Sequence, residues 1–282
     1  MNKLASDIVY LNGEYLPLSE AKVSVLDRGF LFGDGVYEVI PSYSGNLFRL
    51  QDHLTRLQTS LERIRLELSF SLEKWMDILV PLLDKGKNQS IYLQITRGVA
   101  PKRDHAFPKT PQPTVFASCS DIQPVSGLEL GAKAVTMEDN RWEMCNVKAT
   151  TLLANVLMKQ EAIEQGAAEA ILHKQGYVTE GATSNLFAVI DNVLTTPIKS
   201  TDILPGITRQ VVLELADKND IPVSEDAISL EVLKSATEIW ITSSTREIVP
   251  IVKLDSKKIG EGKPGVIWHK MNQLFQDYKR VS

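Results

Sequence analysis

Apolar positions along the 282-residue chain recur in two rhythms. Leu50, Leu54, Leu57, Leu61 and Ile64 stand three and four apart, which lines one face of a helix over residues 50–66. Residues 71–85 predict a second helix, opened by Ser71 with Lys74 and Trp75 behind it. Shorter apolar runs bounded by turn residues read as strands. Ile8-Val9-Tyr10-Leu11 runs into Asn12-Gly13, a strong hairpin signal, and Val23-Ser24-Val25 follows. The glycine-rich stretch 27–40 becomes strand-like in its later half, and a second hairpin turns at Ser44-Gly45-Asn46. Strands at 90–96 and 114–120 flank a loop, 97–113, that holds Pro101, Pro108, Pro111 and Pro113. A loop so long and so stiffened by proline is more often functional than idle.

Pro124 and Gly127 interrupt the strand pattern, so a domain boundary is expected near 121–127, dividing the chain into 1–120 and 121–282. Beyond it the pattern predicts strands at 132–137, 169–173, 177–179, 185–194, 238–242 and 248–251. Helices are expected at 151–165, 208–218, near 229–236 and at 265–278, with a hairpin through Lys257-Lys258. Antiparallel hairpins mixed with helices argue for an α+β fold rather than a doubly wound parallel sheet. No repeat or low-complexity segment stands out. No GxGxxG or GxxxxGK[ST] opens a helix, which weakens dinucleotide and triphosphate readings.

Composition narrows the class. With 43% hydrophobic and 23% charged residues the chain is an ordinary globular one, not a disordered one. Its 31 basic and 35 acidic residues leave a net charge of −4, which disfavours nucleic acid and anionic membranes as partners. Cys119 and Cys145 are too few for a disulfide framework or a structural zinc site. His53, His105, His173 and His269 lack ligand spacing, so no metal is expected. No stretch approaches the roughly 18 apolar residues of a spanning helix. Residues 1–7 lack the apolar core of a signal peptide. The expectation is a cytoplasmic protein acting on small molecules.

Four local constellations carry candidate chemistry. Leu204-Pro205-Gly206-Ile207-Thr208-Arg209 makes a turn that opens a helix, where exposed N–H groups suit a phosphate; a plain helix cap explains it as well. Ser243-Ser244-Thr245 follows a strand and offers hydroxyls to the same kind of ligand, or forms a solvated turn. Lys148 begins an apolar helical stretch, where desolvation favours the free amine needed for imine chemistry. Most lysines are surface residues, however, and do nothing of the kind. Glu180, in Val178-Thr179-Glu180-Gly181, stands where a strand gives way to small residues and could keep a ring nitrogen protonated, or sit idle in a turn.

Taken together, and with Arg28-Gly29-Phe30-Leu31-Phe32-Gly33-Asp34-Gly35-Val36-Tyr37-Glu38, these motifs resemble the branched-chain and D-amino-acid aminotransferases along essentially the whole chain. Those are the fold type IV enzymes that use pyridoxal 5′-phosphate. The resemblance implies a smaller N-terminal α/β sandwich and a larger C-terminal α/β barrel-like domain. It implies that Lys148 bonds to the cofactor aldehyde and shuttles the substrate proton, and that Glu180 partners the pyridine nitrogen. Arg56, Ile207, Thr208, Ser244 and Ser243 become the phosphate cup, Leu204 the apolar support beneath the ring, and Tyr37 a substrate-site residue. A solvent-facing position on its helix remains open for Arg56.

Residues 96–108 discriminate within the family. In the D-amino-acid branch an Arg-x-His pair on this loop reaches the neighbouring subunit and binds the substrate carboxylate, and Arg103-Asp104-His105 has that pattern. The expected activity is therefore transfer of the amino group of D-alanine or D-glutamate to 2-oxoglutarate or pyruvate, in a homodimer with its active site at the subunit interface. An L-branched-chain aminotransferase, an aminodeoxychorismate lyase and an (R)-amine transaminase share the fold. A non-enzymatic metabolite-binding module is the alternative outside it. Arg246 adds a charge beside the hydroxyl loop, free to touch substrate or water.

Overall fold

Each half of the chain builds its own sheet. The computed structural model describes residues 8–124 and 127–281. Among these, one unit runs through Ile122 and takes back Val147–Thr151; the other comprises Gln123–Asn146 and Leu152–Val281.

The first unit holds β1 (Ile8–Leu11), β2 (Glu14–Pro17), α1 (Arg28–Phe32), β3 (Gly35–Tyr43), β4 (Asn46–Leu47), α2 (Leu50–Arg63), α3 (Leu72–Leu79), β5 (Gln89–Thr96) and β6 (Thr114–Asp121). Its sheet is antiparallel in the order β2-β1-β6-β5-β3-β4. Asn12 and Gly13 both take positive φ, 50° and 107°, as the hairpin between β1 and β2 requires. Leu54, Leu57 and Leu61 of α2 are buried, and the helix packs on β3. Ser71 caps α3 by accepting from the Lys74 N–H at 3.1 Å. This helix is shorter than expected, giving way at Leu79 to a 3-10 turn that contains Pro81. Val23-Ser24-Val25 lies outside any strand. The first half of the glycine-rich stretch is helical: Asp27 Oδ1 accepts from the Gly29 N–H at 2.8 Å, and Gly33, at φ 64°, closes α1 in a left-handed conformation.

The second unit holds β7 (Ala132–Glu138), α4 (Leu153–Glu164), β8 (Glu169–Lys174), β9 (Tyr177–Gly181), β10 (Asn185–Ile190), β11 (Val193–Thr196), α5 (Ile207–Lys218), β12 (Val223–Glu225), α6 (Leu230–Ser235), β13 (Glu238–Ser243), β14 (Glu247–Leu254), β15 (Lys257–Lys258) and α7 (Val266–Val281). Its mixed sheet runs β12-β11-β10-β13-β14-β7-β8-β9, with β15 beside β14. The single strand expected over 185–194 is a hairpin, because Asp191 and Asn192 at φ 49° and 63° turn the chain. Only residues 182–184 join β9 to β10, which stand five strand spacings apart in the hydrogen-bonded order. Flat, those spacings would separate the strands by about 24 Å, farther than the ~14 Å that so short a connection reaches. The sheet therefore curls toward a barrel. Ala134, Ile171, Leu186, Ile239 and Ile251 fill one side of it. The alternating neighbours Val135, Ala170 and Leu172 pack with Met158 and Ala162 of α4.

Candidate active site

The expected site residues fall into two groups, one on each unit. In the first, Val147–Thr151 is an extended segment laid against the start of β3. Ala149 bridges Val36, the Tyr37 N–H donates to the Lys148 carbonyl at 2.9 Å, and the Thr150 N–H donates to the Gly35 carbonyl at 3.0 Å. From the other side the Lys148 N–H donates to Ser60 Oγ of α2 at 3.2 Å. Lys148 thus precedes α4 and does not begin a helix, as its sequence suggests. This pairing also explains why the segment groups with the first unit, whereas a division at 120 and 121 assigns it to the second. With the backbone held on both sides, Nζ stands 4.2 Å from the centroid of the Tyr37 ring, in cation–π range. Tyr37 stacks in turn on Tyr92 at 5.7 Å.

Glu38 follows Tyr37 on β3 and points to the opposite face. Fully buried, it accepts from Arg56 Nε and Nη2 at 2.8 and 2.7 Å and lies 2.7 Å from His53 Nδ1. Burial works to raise its carboxyl, but the Arg56 charge and the Arg56 and His53 bonds win and hold it at about 2. Burial keeps His53 below its usual range and hence neutral, with Nδ1–H assigned as the donor. Arg56 is therefore buried, not solvent-facing. The available signal is a polar series, His53, Arg56 and Ser60, at helical spacing beside the leucine stripe.

The 97–113 loop brings Arg103 and His105 to one ring. The Arg103 guanidinium lies 4.9 Å from the Phe32 centroid, and the His105 ring stands 5.3 Å from it.

On the second unit Glu180, 4% exposed at the end of β9, is ringed by donors. Arg141 Nη1 reaches Oε1 at 2.5 Å, while Asn185 Nδ2 and the Leu204 N–H reach Oε2 at 2.9 and 3.0 Å. Arg141 gives Nε and Nη2 to Asp139 at 2.9 and 2.7 Å. Burial pushes the Glu180 carboxyl up to about 7 against the pull of Arg141 and Leu204. Asn185 also donates to the Leu204 carbonyl at 2.7 Å, tying the strand start to the turn before α5. A Cβ at Gly206 would collide with Asn185 Oδ1, so the turn needs glycine. Gly206 caps α5 with no side-chain partner, leaving the first N–H groups of Ile207 and Thr208 to other acceptors. Ser243 ends β13 and Ser244 follows in the turn, both half-buried. Arg246 is engaged, its Nη2 meeting Glu169 Oε2 at 2.5 Å and Thr183 Oγ1 at 2.9 Å. Arg141 and Asn185, like Glu38 and His53, are polar neighbours the sequence reading does not single out.

The Amino-transferase class IV family model matches residues 35–254, and the chain belongs to that family. Its two-domain α+β fold is fold type IV: the branched-chain amino acid aminotransferase of Escherichia coli superposes with a TM-score of 0.88 at 28% identity, covering 96% of this chain and 94% of that one. The D-alanine aminotransferase of Staphylococcus haemolyticus is 41% identical over 275 residues, 96% of this chain and 97% of the relative. A branched-chain aminotransferase of the archaeon Thermoproteus uzoniensis, solved with norvaline, matches with a TM-score of 0.87 at 28% identity over 96% and 94% of the two chains.

Proposed function

We propose that the chain is a pyridoxal 5′-phosphate-dependent transaminase, acting as a homodimer. It moves an amino group between a D-amino acid such as D-alanine or D-glutamate and a 2-oxo acid such as 2-oxoglutarate or pyruvate. The observation that carries the D-specific reading is that Arg103 and His105, a guanidinium and an imidazole suited to a carboxylate, both lie against the Phe32 ring. Full-length identity of 41% to a D-alanine aminotransferase supports it over the branched-chain reading, whose E. coli representative stands at 28%.

The residues fit the cofactor. A carboxylate offers about four acceptor positions, and the three donors around Glu180 leave one at Oε1 for a ring N–H. Its raised proton affinity makes it a strong acceptor there. The uncapped start of α5 suits a phosphate, with Ile207 and Thr208 N–H groups, the Ser243 and Ser244 hydroxyls and Arg56 as its holders. Leu204 supports the ring from beneath. When bound, pyridoxal phosphate supplies an aldehyde that takes the amino group and a ring that draws electrons from the substrate Cα. Lys148 contributes the amine and moves the proton at Cα, held against Tyr37 by backbone bonds on both sides. Tyr37 stands near the substrate α-carboxylate, and Arg103 and His105 bind that carboxylate in the active site of the neighbouring subunit.

Borohydride reduction of the cofactor-loaded protein, followed by peptide mapping, should place the adduct on Lys148; any other lysine ends this assignment. Paired assays with D-alanine and L-leucine as donors to 2-oxoglutarate should show turnover with the D-substrate, and faster turnover with L-leucine would transfer the chain to the branched-chain reading.

A further inference from the structure

The segment around Arg103 and His105 is exposed and has no regular structure, yet one buried side chain grips three of its successive carbonyls. Arg28, 3% exposed at the start of α1, donates from Nη1 to the Asp104 and Ala106 carbonyls at 2.6 and 3.2 Å and from Nη2 to the His105 carbonyl at 3.2 Å. Its Nε goes to Asp34 Oδ2 at 2.8 Å. Asp34 is shared with Arg97, which reaches its two oxygens at 2.8 and 2.9 Å and donates to the Ile64 and Arg65 carbonyls at 2.7 and 3.0 Å. The Arg97 guanidinium covers the Phe107 ring at 3.7 Å, fixing the far side of the segment. At the other end of α1, Phe32 carries both Arg103 and His105 on its ring.

From this geometry we infer that α1 is the positioning element of the substrate-carboxylate site, Arg28 setting the loop backbone and Phe32 aiming Arg103 and His105. The inference rests on the reading that those two residues bind the carboxylate. An arginine on a free loop samples many rotamers, and ordering it on binding opposes affinity. A backbone clamped at three carbonyls and a side chain already stacked remove most of that cost before substrate arrives. Lysine cannot replace Arg28, because a single ammonium lacks the fork that spans three carbonyls and a carboxylate. Arg28 and Phe32 act through Arg103 and His105, so their loss should weaken substrate binding and leave the chemistry intact.

The test is steady-state kinetics of the cofactor-loaded enzyme with D-alanine and 2-oxoglutarate, in Arg28→Lys, Phe32→Leu, Arg103→Gln and the double variant Arg28→Lys/Arg103→Gln. Arg28→Lys and Phe32→Leu should each raise both KM values about tenfold, with kcat and the cofactor absorbance unchanged. The double variant should be worse than Arg103→Gln alone by well under the tenfold of Arg28→Lys, since only His105 is left to aim. Multiplying effects, or a fall in kcat and cofactor absorbance at constant KM, would make Arg28 a structural residue and overturn the inference. Should Arg28→Lys not fold, Phe32→Leu and its double with Arg103→Gln carry the same expectation. An Arg103→Gln enzyme with unchanged KM sinks the carboxylate reading and this inference with it; unchanged KM in Arg28→Lys and Phe32→Leu alone sinks only the positioning role.

Discussion

Glu38 on the first unit and Glu180 on the second are both buried carboxylates that meet an arginine, yet one is held at about 2 and the other pushed up to about 7. Burial raises both carboxyls, and the two differ in how the arginine set against it is shared. Arg56 gives Nε and Nη2 together to Glu38, and neutral His53 adds a third bond, so charges in that cluster cancel. Arg141 gives two of its nitrogens to Asp139 and only Nη1 to Glu180. Two acids compete for one guanidinium. Asp139, buried too, is held below its usual range by the Arg141 bonds and the Thr179 hydroxyl. The surplus negative charge falls on Glu180, which accepts a proton or a protonated ring in compensation. The same pair of residue types thus makes a charge-balanced pair in one unit and an open acceptor in the other.

The largest effect should come from removing the open acceptor. Glu180→Gln keeps the shape and loses the charge. We expect kcat with D-alanine to fall on the order of 10²- to 10³-fold, the size of one lost electrostatic contact at a reacting group. Cofactor absorbance should persist; a chain unable to retain the cofactor would instead make Glu180 an anchor. Glu38→Gln should act on folding. It removes the buried countercharge of Arg56, a loss of about 3–5 kcal/mol in urea unfolding. The two acids also predict opposite slopes of stability with pH. Glu38 is depressed, so its contribution is present above about 4.5 and is lost as pH falls towards about 2, roughly 3 kcal/mol in all. Glu180 is raised, so in the cofactor-free chain its contribution is present below about 4.5 and is lost as pH rises through about 7. Urea titrations of both variants across pH 3–8 check this, each expected to flatten only its own limb.

These clusters also show what a linear reading reaches. Strong periodicity marks α2 and most strands, because burial of one face imposes the period. The helix α1 escapes it: two glycines in seven residues argue against a helix, and its only markers are Asp27 and Gly33 at its caps. The turn at Asp191-Asn192 is hidden by the apolar residues around it and by the lack of a glycine. Within the site, Lys148, Glu180 and Tyr37 stand in recognisable motifs, whereas the residues that hold them do not. Arg141 finds Glu180 from 39 positions away, and Arg28 finds the loop carbonyls from 76 to 78 away. No local pattern encodes such partners, since closure of those distances is a property of the folded sheet.

The smallest and most discriminating change is Asp139→Asn, which alters neither Glu180 nor its bonds directly. If competition for Arg141 adds to burial in raising the Glu180 carboxyl, neutralising the competitor frees the whole guanidinium charge for Glu180 and removes the repulsion between Asp139 and Glu180. Its proton affinity should then fall towards that of Glu38, and it should become a weaker acceptor for a ring N–H. Asparagine still accepts from Thr179 through its side-chain oxygen, so the strand end is preserved. We expect kcat with D-alanine to drop only about three- to tenfold, because the acceptor charge remains and only its basicity changes. In the cofactor-free chain, the decline of stability between about pH 4.5 and 7 should shrink. A drop as deep as that of Glu180→Gln would mean that Asp139 holds the fold of the site. An unchanged pH slope would mean that burial alone raises Glu180, and the contrast between the two arginines would then rest on depth and not on the sharing of a charge.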